Sequence, residues 1–132
     1  MSENNLNKKY IIIAEDDRFY ASIYNQRLID LGYEVSVVSD GEEVLKLMKD
    51  KIPVLVMLDL IMPRMDGFEA LRLIRENEKF KDVKVLVLSN LGQKEDVDTA
   101  MKIGATGYII KSNSSIQDVL IKVSESLKSN VQ

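Results

Sequence analysis

Several polar residues in this chain stand directly after short apolar runs, and their types suit one kind of chemistry. An acidic triplet, Glu15-Asp16-Asp17, follows the first such run, and Asp59, Ser89 and Lys111 each follow a later one. Carboxylates, a hydroxyl and an amine can bind a hard cation and stabilise the transfer of a phosphoryl group, because that reaction depends mainly on positioning and charge neutralisation. If the fold brings these residues together, we expect them to form such a site.

The composition excludes several other kinds of site and partner. The 132 residues include no cysteine and no histidine, so thiol chemistry, a Ser–His triad and imidazole metal ligands are excluded. With 18 basic and 21 acidic residues, the chain lacks the basic excess that direct binding to nucleic acid favours. No apolar run exceeds five residues, whereas a membrane span needs about 20, and the polar start of the chain does not resemble a secretion signal. We expect a cytoplasmic protein with no membrane or direct nucleic-acid partner.

Five short apolar runs alternate with amphipathic helical patterns along the chain. The runs are rich in Val, Ile and Leu and are too short for helices, so we predict strands. The predicted strands are residues 10–14, 35–38, 54–58, 83–88 and 108–110. Their alternation with helices predicts a parallel sheet with helices on both faces, a doubly wound (βα)5 arrangement in three α/β/α layers.

Capping residues predict where several helices begin and end. Asp66 is a predicted N-cap, and Gly32 and Gly104 are predicted C-caps. Two capping boxes are predicted from the spacing of Ser39 with Glu42 and of Ser114 with Gln117.

The carboxyl ends of parallel strands meet at one edge of the sheet, where ligands bind near the reversal of strand order. If the first and third strands are neighbours, Glu15, Asp16 and Asp59 converge. Like charges about 4 Å apart repel by roughly 4 kcal/mol per pair at an effective dielectric constant of about 20, so protons or a cation must relieve them. Mg²⁺ fits carboxylate and carbonyl ligands best.

Each polar residue also has a simpler interpretation when it is taken alone. Acids that open a helix often only cap it and complement its dipole. Asp59 is compatible with a turn before Pro63, Ser89 with a loop hydroxyl, and Lys111 with a solvated side chain. Only their joint position at the strand ends favours a site.

Four motifs in this order resemble the receiver domains of two-component response regulators, and the resemblance covers about residues 9–129. The motifs are IIIAEDD (11–17), DLIMPRMDG (59–67), VLVLS (85–89) and GATGYIIK (104–111). The resemblance implies a flavodoxin-like fold with strand order 2-1-3-4-5, which places the first and third strands side by side.

The resemblance also implies a role for each acid. Asp59 is expected to be the phospho-acceptor. Asp16 is expected to bind Mg²⁺ directly and Glu15 through a bound water, while the backbone carbonyl of Ile61 completes the protein's share of the ligands.

Three further residues match the family's switch residues. Lys111 is expected to pair with the acceptor and then with its phosphoryl group. Ser89 is expected to turn inward and hydrogen-bond a phosphoryl oxygen, and Tyr108 to move with it from an exposed to a buried position. The alternative for Tyr108 is a plain edge-strand aromatic residue.

Some residues depart from the family pattern. Ser112 follows Lys111 where the family usually has proline after a cis bond; a cis bond before serine costs about 3 kcal/mol, which leaves the orientation of Lys111 open. Asn90 replaces a smaller residue and is expected to narrow access to Asp59. Ile61 and Leu91 flank the acceptor and cannot position a water molecule, so we expect slow hydrolysis of the aspartyl phosphate.

The function that follows from the resemblance is a signalling switch. A histidine kinase or phosphotransfer protein would phosphorylate Asp59 and so change the face built from the fourth helix, fifth strand and fifth helix. That face would then control binding of a partner protein or self-association. We expect one receiver domain at 9–129, polar tails at 1–8 and 130–132, no output domain, and no enzymatic activity beyond its own phosphorylation and dephosphorylation.

Two alternatives come from other classes of function. The first is an interaction module that works without phosphorylation. The second is a phosphohydrolase with an aspartyl-phosphate intermediate. Enzymes of the haloacid dehalogenase type usually carry a second aspartate two residues after the nucleophile, where this chain has Ile61.

Overall fold

Five parallel strands form one sheet in a computed structural model that describes residues 8–128. The strands are β1 (Tyr10–Ala14), β2 (Glu34–Val38), β3 (Leu55–Leu58), β4 (Lys84–Ser89) and β5 (Gly107–Ile110). Their order is β2-β1-β3-β4-β5 and every adjacent pair is parallel. The predicted flavodoxin-like order 2-1-3-4-5 is therefore confirmed. Of the predicted tails, residues 1–7 and 130–132 lie outside the described residues.

Helices alternate with the strands and cover both faces of the sheet. They are α1 (Arg18–Asp30), α2 (Gly41–Asp50), α3 (Gly67–Glu76), α4 (Lys94–Ile103) and α5 (Ile116–Lys128). Successive residues of a strand point to opposite faces, and Ile12 accordingly packs in one apolar cluster and Ile13 in the other. The first cluster joins the sheet to α2, α3 and α4, and the second joins it to α1 and α5. The three-layer α/β/α architecture is confirmed.

The strands next to the predicted site are buried on both faces. Every residue of β1 and β3 is buried, which is the reason that both runs are apolar at each position rather than alternating. Since the two strands lie at the centre of the sheet, the residues that follow them emerge from a rigid part of the fold.

Two of the three predicted single caps, Asp66 and Gly104, occur at the predicted residue, whereas the C-cap of α1 is Leu31 and Gly32 follows it. The Asp66 carboxylate accepts a hydrogen bond from the backbone N–H of Glu69 at 3.0 Å and caps α3. Gly32 and Gly104 follow α1 and α4 with φ angles of +99° and +131°. Glycine adopts such positive values without the strain that a Cβ atom causes.

Both predicted capping boxes are wrong by one residue. Asp40, not Ser39, caps α2, and its carboxylate accepts from the N–H of Glu43 at 3.0 Å. In α5 the reciprocal pair is Ser115 with Asp118. A single-turn 3-10 helix covers Lys111–Asn113, and Ser114 is its C-cap. Ser114 therefore does not serve as the N-cap of α5.

Candidate functional site

The pairing of β1 with β3 places two of the predicted acids side by side. Ala14 and Leu58 are partners in the register, and the N–H of Asp59 donates to the carbonyl oxygen of Ala14 at 3.0 Å. The next residues, Glu15 and Asp59, therefore leave neighbouring strands at the same edge of the sheet. Carboxylate oxygens of Glu15, Asp16 and Asp59 lie within 4.8 Å of one another, so the convergence expected from the sequence is present.

The acidic triplet divides into residues with different surroundings. Glu15 and Asp59 are 4% and 6% exposed, whereas Asp16 is exposed. Asp17 caps α1, and its carboxylate accepts hydrogen bonds from the N–H groups of Phe19 and Tyr20. The capping interpretation therefore holds for Asp17 alone, and the other two acids of the triplet remain available to the cluster.

Burial changes the acidity of Glu15. The loss of hydration is the main reason that the pKa of Glu15 rises to about 7, and the charge of Asp59 raises it further. The hydrogen bond from Lys111 acts in the opposite direction because it favours the charged form. Glu15 therefore holds a proton more readily than an exposed glutamate does.

Lys111 lies buried between two acids of the cluster. Its Nζ atom is 2.8 Å from Oε1 of Glu15 and 3.4 Å from Oδ2 of Asp59. Burial alone lowers the pKa of Lys111, but the hydrogen bond to Glu15 and the two carboxylate charges outweigh burial and raise it. The Lys111–Ser112 bond is trans, and the ammonium group still reaches both acids, so the orientation that the sequence left open is fixed towards the cluster.

The loop after β4 is tied to the turn after β5. The side-chain oxygen of Asn90 accepts a hydrogen bond from the N–H of Ser112 at 3.0 Å. Asn90 is exposed and lines the same pocket as Asp59. This contact needs an N–H at position 112, which proline lacks. The two departures from the family pattern thus contact each other.

A second chain of hydrogen bonds links Ser89 to Tyr108 through Leu91. The fully buried Ser89 accepts at Oγ from the N–H of Leu91 at 3.2 Å. The carbonyl oxygen of Leu91 accepts from the hydroxyl of Tyr108 at 2.6 Å. Tyr108 is half-buried, and this burial is the main reason that its pKa is raised. The sequence pointed to all three residues but not to the connection between them.

The cluster opens into a small pocket at the edge of the sheet. The pocket has a volume of about 250 Å³, and Ile61, Ser89 and Asn90 line it together with the acids and Lys111. A larger groove of about 630 Å³ lies between the end of α1 and α5. A single carboxylate, that of Asp30, lines this groove, so the larger cavity lacks the clustered acids that phosphoryl chemistry needs.

The donor atoms fit a hard divalent cation. Carboxylate oxygens of Glu15, Asp16 and Asp59 could hold a metal ion, and oxygen ligands suit Mg²⁺. Asp16 forms no hydrogen bond or ion pair within residues 8–128, so its carboxylate is available. The N–H of Ile61 donates to Oδ1 of Asp59 at 3.3 Å, which keeps the backbone of Ile61 beside that carboxylate.

Two side-chain contacts were not predicted from the sequence. The ring of Tyr20 lies against the ammonium group of Lys111, with 4.8 Å between Nζ and the ring centroid. Arg64, whose φ angle is +62°, donates from Nε to the buried carboxylate of Asp40 at 2.7 Å. Helical periodicity does place Tyr20 and Tyr24 on one face of α1, but no local signal identifies either contact.

Within residues 8–128 no helix has the length and apolar character to cross a membrane.

Comparison with known proteins identifies the family. The sequence profile of the response regulator receiver domain matches residues 11–123. A probable transcriptional regulator ycf27 of Cyanophora paradoxa is 36% identical over 106 residues, which are 80% of this chain and 43% of that protein. The chain thus spans less than half the length of this curated relative.

Solved structures give the same result. A CheY-like response regulator receiver domain protein from Methanospirillum hungatei has a TM-score of 0.85 at 26% identity, with 92% of this chain and 95% of that chain covered. A response regulator described as putative in its structure report, from Chloroflexus aurantiacus, shares the fold with a TM-score of 0.85 at 24% identity, with 92% and 99% covered. The strand order, the profile match and these relatives show that the chain belongs to the response regulator receiver domain family of two-component signalling.

Proposed function

We propose that Asp59 of this receiver domain accepts a phosphoryl group, in a reaction that depends on Mg²⁺, from a histidine kinase or a phosphotransfer protein. The observation that carries the proposal is the cluster itself. Glu15, Asp16 and Asp59 present carboxylate oxygens within 4.8 Å of one another, and Lys111 contacts two of the three acids. Such a concentration of negative charge is costly unless protons or a cation offset it.

The geometry favours Asp59 over its neighbours as the nucleophile. Glu15 is held by Lys111 at 2.8 Å and by the N–H of Asp17 at 3.1 Å. Asp59 has a longer contact of 3.4 Å with Lys111 and faces the pocket. An oxygen of Asp59 attacks phosphorus, the bond between phosphorus and the donor's imidazole nitrogen breaks, and its electron pair stays on that nitrogen.

The residues assigned to Mg²⁺ follow from the same contacts. Asp16, Asp59 and the backbone carbonyl of Ile61 would hold the ion directly. Glu15 would act through a bound water, because its carboxylate is already engaged by Lys111 and by the backbone of Asp17. When bound, Mg²⁺ supplies positive charge that offsets the charge developing on the phosphoryl oxygens.

The phosphoryl group adds about −1.5 to −2 charges at the rim, and the switch begins with its hydrogen bonds. Lys111 pairs with one phosphoryl oxygen, and the hydroxyl of Ser89 turns inward to donate to another. Ser89 is hydrogen-bonded to Leu91, and Leu91 is hydrogen-bonded to Tyr108. The movement of Ser89 is therefore transmitted to Tyr108. A nearly complete switch needs a differential free energy of about 5.5 kcal/mol, which several charge-assisted contacts supply.

The proposed output is a change in binding. The α4-β5-α5 surface carries Tyr108 and is next to the loop after β4, so it is the surface that this movement alters. A downstream protein or a second copy of the chain would recognise the altered surface. The receiver's only chemistry under this proposal is its own phosphorylation and dephosphorylation.

One experiment tests the assignment of Asp59. The protein is incubated with acetyl phosphate and Mg²⁺, and the intact mass is followed with time. We expect the wild type to gain one phosphoryl group and Asp59→Asn to gain none. Asp66→Asn is the matched control, because it removes an acid from the same loop while asparagine still caps α3.

Other outcomes favour the alternatives. Phosphorylation of Asp59→Asn at the wild-type rate excludes Asp59 as the acceptor. Partner affinity that is unchanged by acetyl phosphate and by Asp59→Asn supports an interaction module that does not use phosphorylation. Release of more than one equivalent of phosphate from a phosphate monoester supports a phosphohydrolase, although Ile61 supplies no acid–base group at the position that such enzymes use.

A further inference from the structure

The ring of Tyr20 lies against the ammonium group of Lys111, a residue far from it in the chain. Tyr20 lies in the first turn of α1, and its ring centroid is 4.8 Å from Nζ of Lys111. The ring is itself held in place by Tyr24, on which it stacks with centroids 5.9 Å apart, while the exposed ring of Phe19 lies 5.7 Å away in a T-shaped arrangement. Tyr24 is 1% exposed, so the stack rests on the core.

The contact is stronger than a surface cation–π pair because the ammonium group is largely desolvated. Lys111 is 7% exposed, and a cation over an aromatic face is attracted more strongly where water does not compete. The ring carries no net charge. Its attraction for Lys111 therefore does not depend on which carboxylate the ammonium group contacts.

The other contacts of Lys111 are not independent in this way. They are the carboxylates of Glu15 and Asp59, and under the proposed function both face the metal ion. A cation beside them weakens their hold on a second cation, because like charges repel. Among the contacts that the ammonium group makes within residues 8–128, the Tyr20 ring is the neutral one, and it is not a ligand for a hard cation.

We propose that Tyr20 is a positioning residue for phosphoryl transfer, whose ring helps to keep the Lys111 ammonium beside Asp59 when the charge of the metal ion weakens the attraction of the two carboxylates for it. The inference rests on the proposed function, since it assigns Lys111 to the transferred group. It goes beyond that function in naming what holds Lys111 in place.

Three substitutions separate the ring from the rest of the side chain. Tyr20→Phe keeps the ring, and Tyr20→Leu removes it while leaving an apolar side chain. Tyr20→Met is a second variant without a ring, for use if Tyr20→Leu does not fold. Phe19→Leu is the matched control, because it removes the adjacent ring, which is 68% exposed and edge-on to Tyr20.

The first readout needs neither Mg²⁺ nor a phosphodonor. Protons near Nζ of Lys111 lie over the ring face, so their nuclear magnetic resonance signals are expected at higher field than those of an exposed lysine. We expect this ring-current shift in the wild type and in Tyr20→Phe and expect it to be lost in Tyr20→Leu. A wild-type protein without the shift overturns the inference, whatever Asp59 does.

The second readout is the rate of phosphorylation by acetyl phosphate at saturating Mg²⁺. We expect Tyr20→Leu to slow the reaction about threefold to tenfold, and Tyr20→Phe and Phe19→Leu to stay within about twofold of the wild type. A rate for Tyr20→Leu equal to that of the wild type overturns the inference, as does a Tyr20→Phe rate as slow as that of Tyr20→Leu. If the wild type accepts no phosphoryl group, the proposed function fails, and the ring-current shift alone then decides whether Tyr20 holds Lys111.

Discussion

The side-chain oxygen of Asn90 accepts a hydrogen bond from the backbone N–H of Ser112, with 3.0 Å between the two atoms. Asn90 comes directly after Ser89, and Ser112 directly after Lys111. One contact therefore ties together the loop that carries the proposed switch hydroxyl and the turn that carries the buried lysine.

The first prediction removes this contact while keeping a side chain with the same branching. Asn90→Leu leaves no acceptor for Ser112, and a hydrogen bond contributes about 1 kcal/mol net, so the amide of Ser112 is expected to exchange its hydrogen about fivefold faster. Asn90→Asp keeps the acceptor and is expected to retain protection. Equal exchange at Ser112 in the wild type and in Asn90→Leu contradicts the prediction.

The second prediction concerns repulsion within the acidic cluster. Asp59→Asn removes one of three neighbouring carboxylates, so we expect a gain in the free energy of unfolding on the order of 1 kcal/mol when a chelator removes divalent cations. The gain is smaller than the bare repulsion because Lys111 already offsets part of it. Chemical denaturation in the presence of EDTA measures the free energy of unfolding of both proteins. Asp82→Asn, an exposed acid away from the cluster, should change stability little, and a loss of stability in Asp59→Asn contradicts the idea.

The third prediction concerns the metal ion. A ligand that binds only the folded state stabilises it by about 2.7 kcal/mol at 100 times its Kd, so Mg²⁺ is expected to raise the Tm of the wild type. Asp16→Asn should lose most of that increase, because Asp16 is an exposed acid of the cluster with no other partner within residues 8–128. Asp82→Asn should keep the increase. Thermal denaturation at a series of Mg²⁺ concentrations measures the increase in Tm. Equal increases in Asp16→Asn and Asp82→Asn exclude Asp16 as a ligand.

The fourth prediction is a pH dependence at Asp40. The N–H of Glu43 and the guanidinium of Arg64 both favour the charged carboxylate, and the pKa of Asp40 lies below its ordinary value of 3.8. A lowered pKa means that the stabilisation is complete above that ordinary value and is lost as the pH falls through the folded-state pKa. Asp40→Asn retains a capping side chain but no charge, so it should be less stable than the wild type at pH 7.

That difference should shrink as the pH falls below 3.8. Denaturation midpoints of the two proteins between neutral and acidic pH give the comparison. A difference that stays constant across this range shows that the charge of Asp40 does not contribute.

The fifth prediction concerns the lifetime of the aspartyl phosphate. Ile61 is 59% exposed in the pocket that Asp59 also lines, and neither Ile61 nor Leu91 offers a group that orients a water molecule for attack. We expect slow loss of phosphate once the donor is removed. Ile61→Asn supplies an amide at this position and should speed the loss several-fold, because an oriented water reacts faster. Rapid loss from the wild type contradicts the prediction, and intact mass measured over time records either result.

The sequence by itself determined the architecture and the position of the polar groups. A buried strand shows as a short run of apolar residues, and a helix shows as apolar residues that recur with the helical period. Both patterns lie within a few neighbouring residues. The end of each run places Glu15, Asp59, Ser89 and Lys111 at one edge of a parallel sheet. Caps that depend on a single residue, such as Asp66, are equally local.

Only the tertiary structure decided which side chains meet. Residues Tyr20 and Lys111, and likewise Asn90 and Ser112, are far apart in the chain, and their contacts depend on strand order and on loop conformation. The pair of buried Asp40 with exposed Arg64 likewise joins two loops. Periodicity carries no information on such pairs, because it describes the surroundings of a residue along its own element and not what another element brings against it.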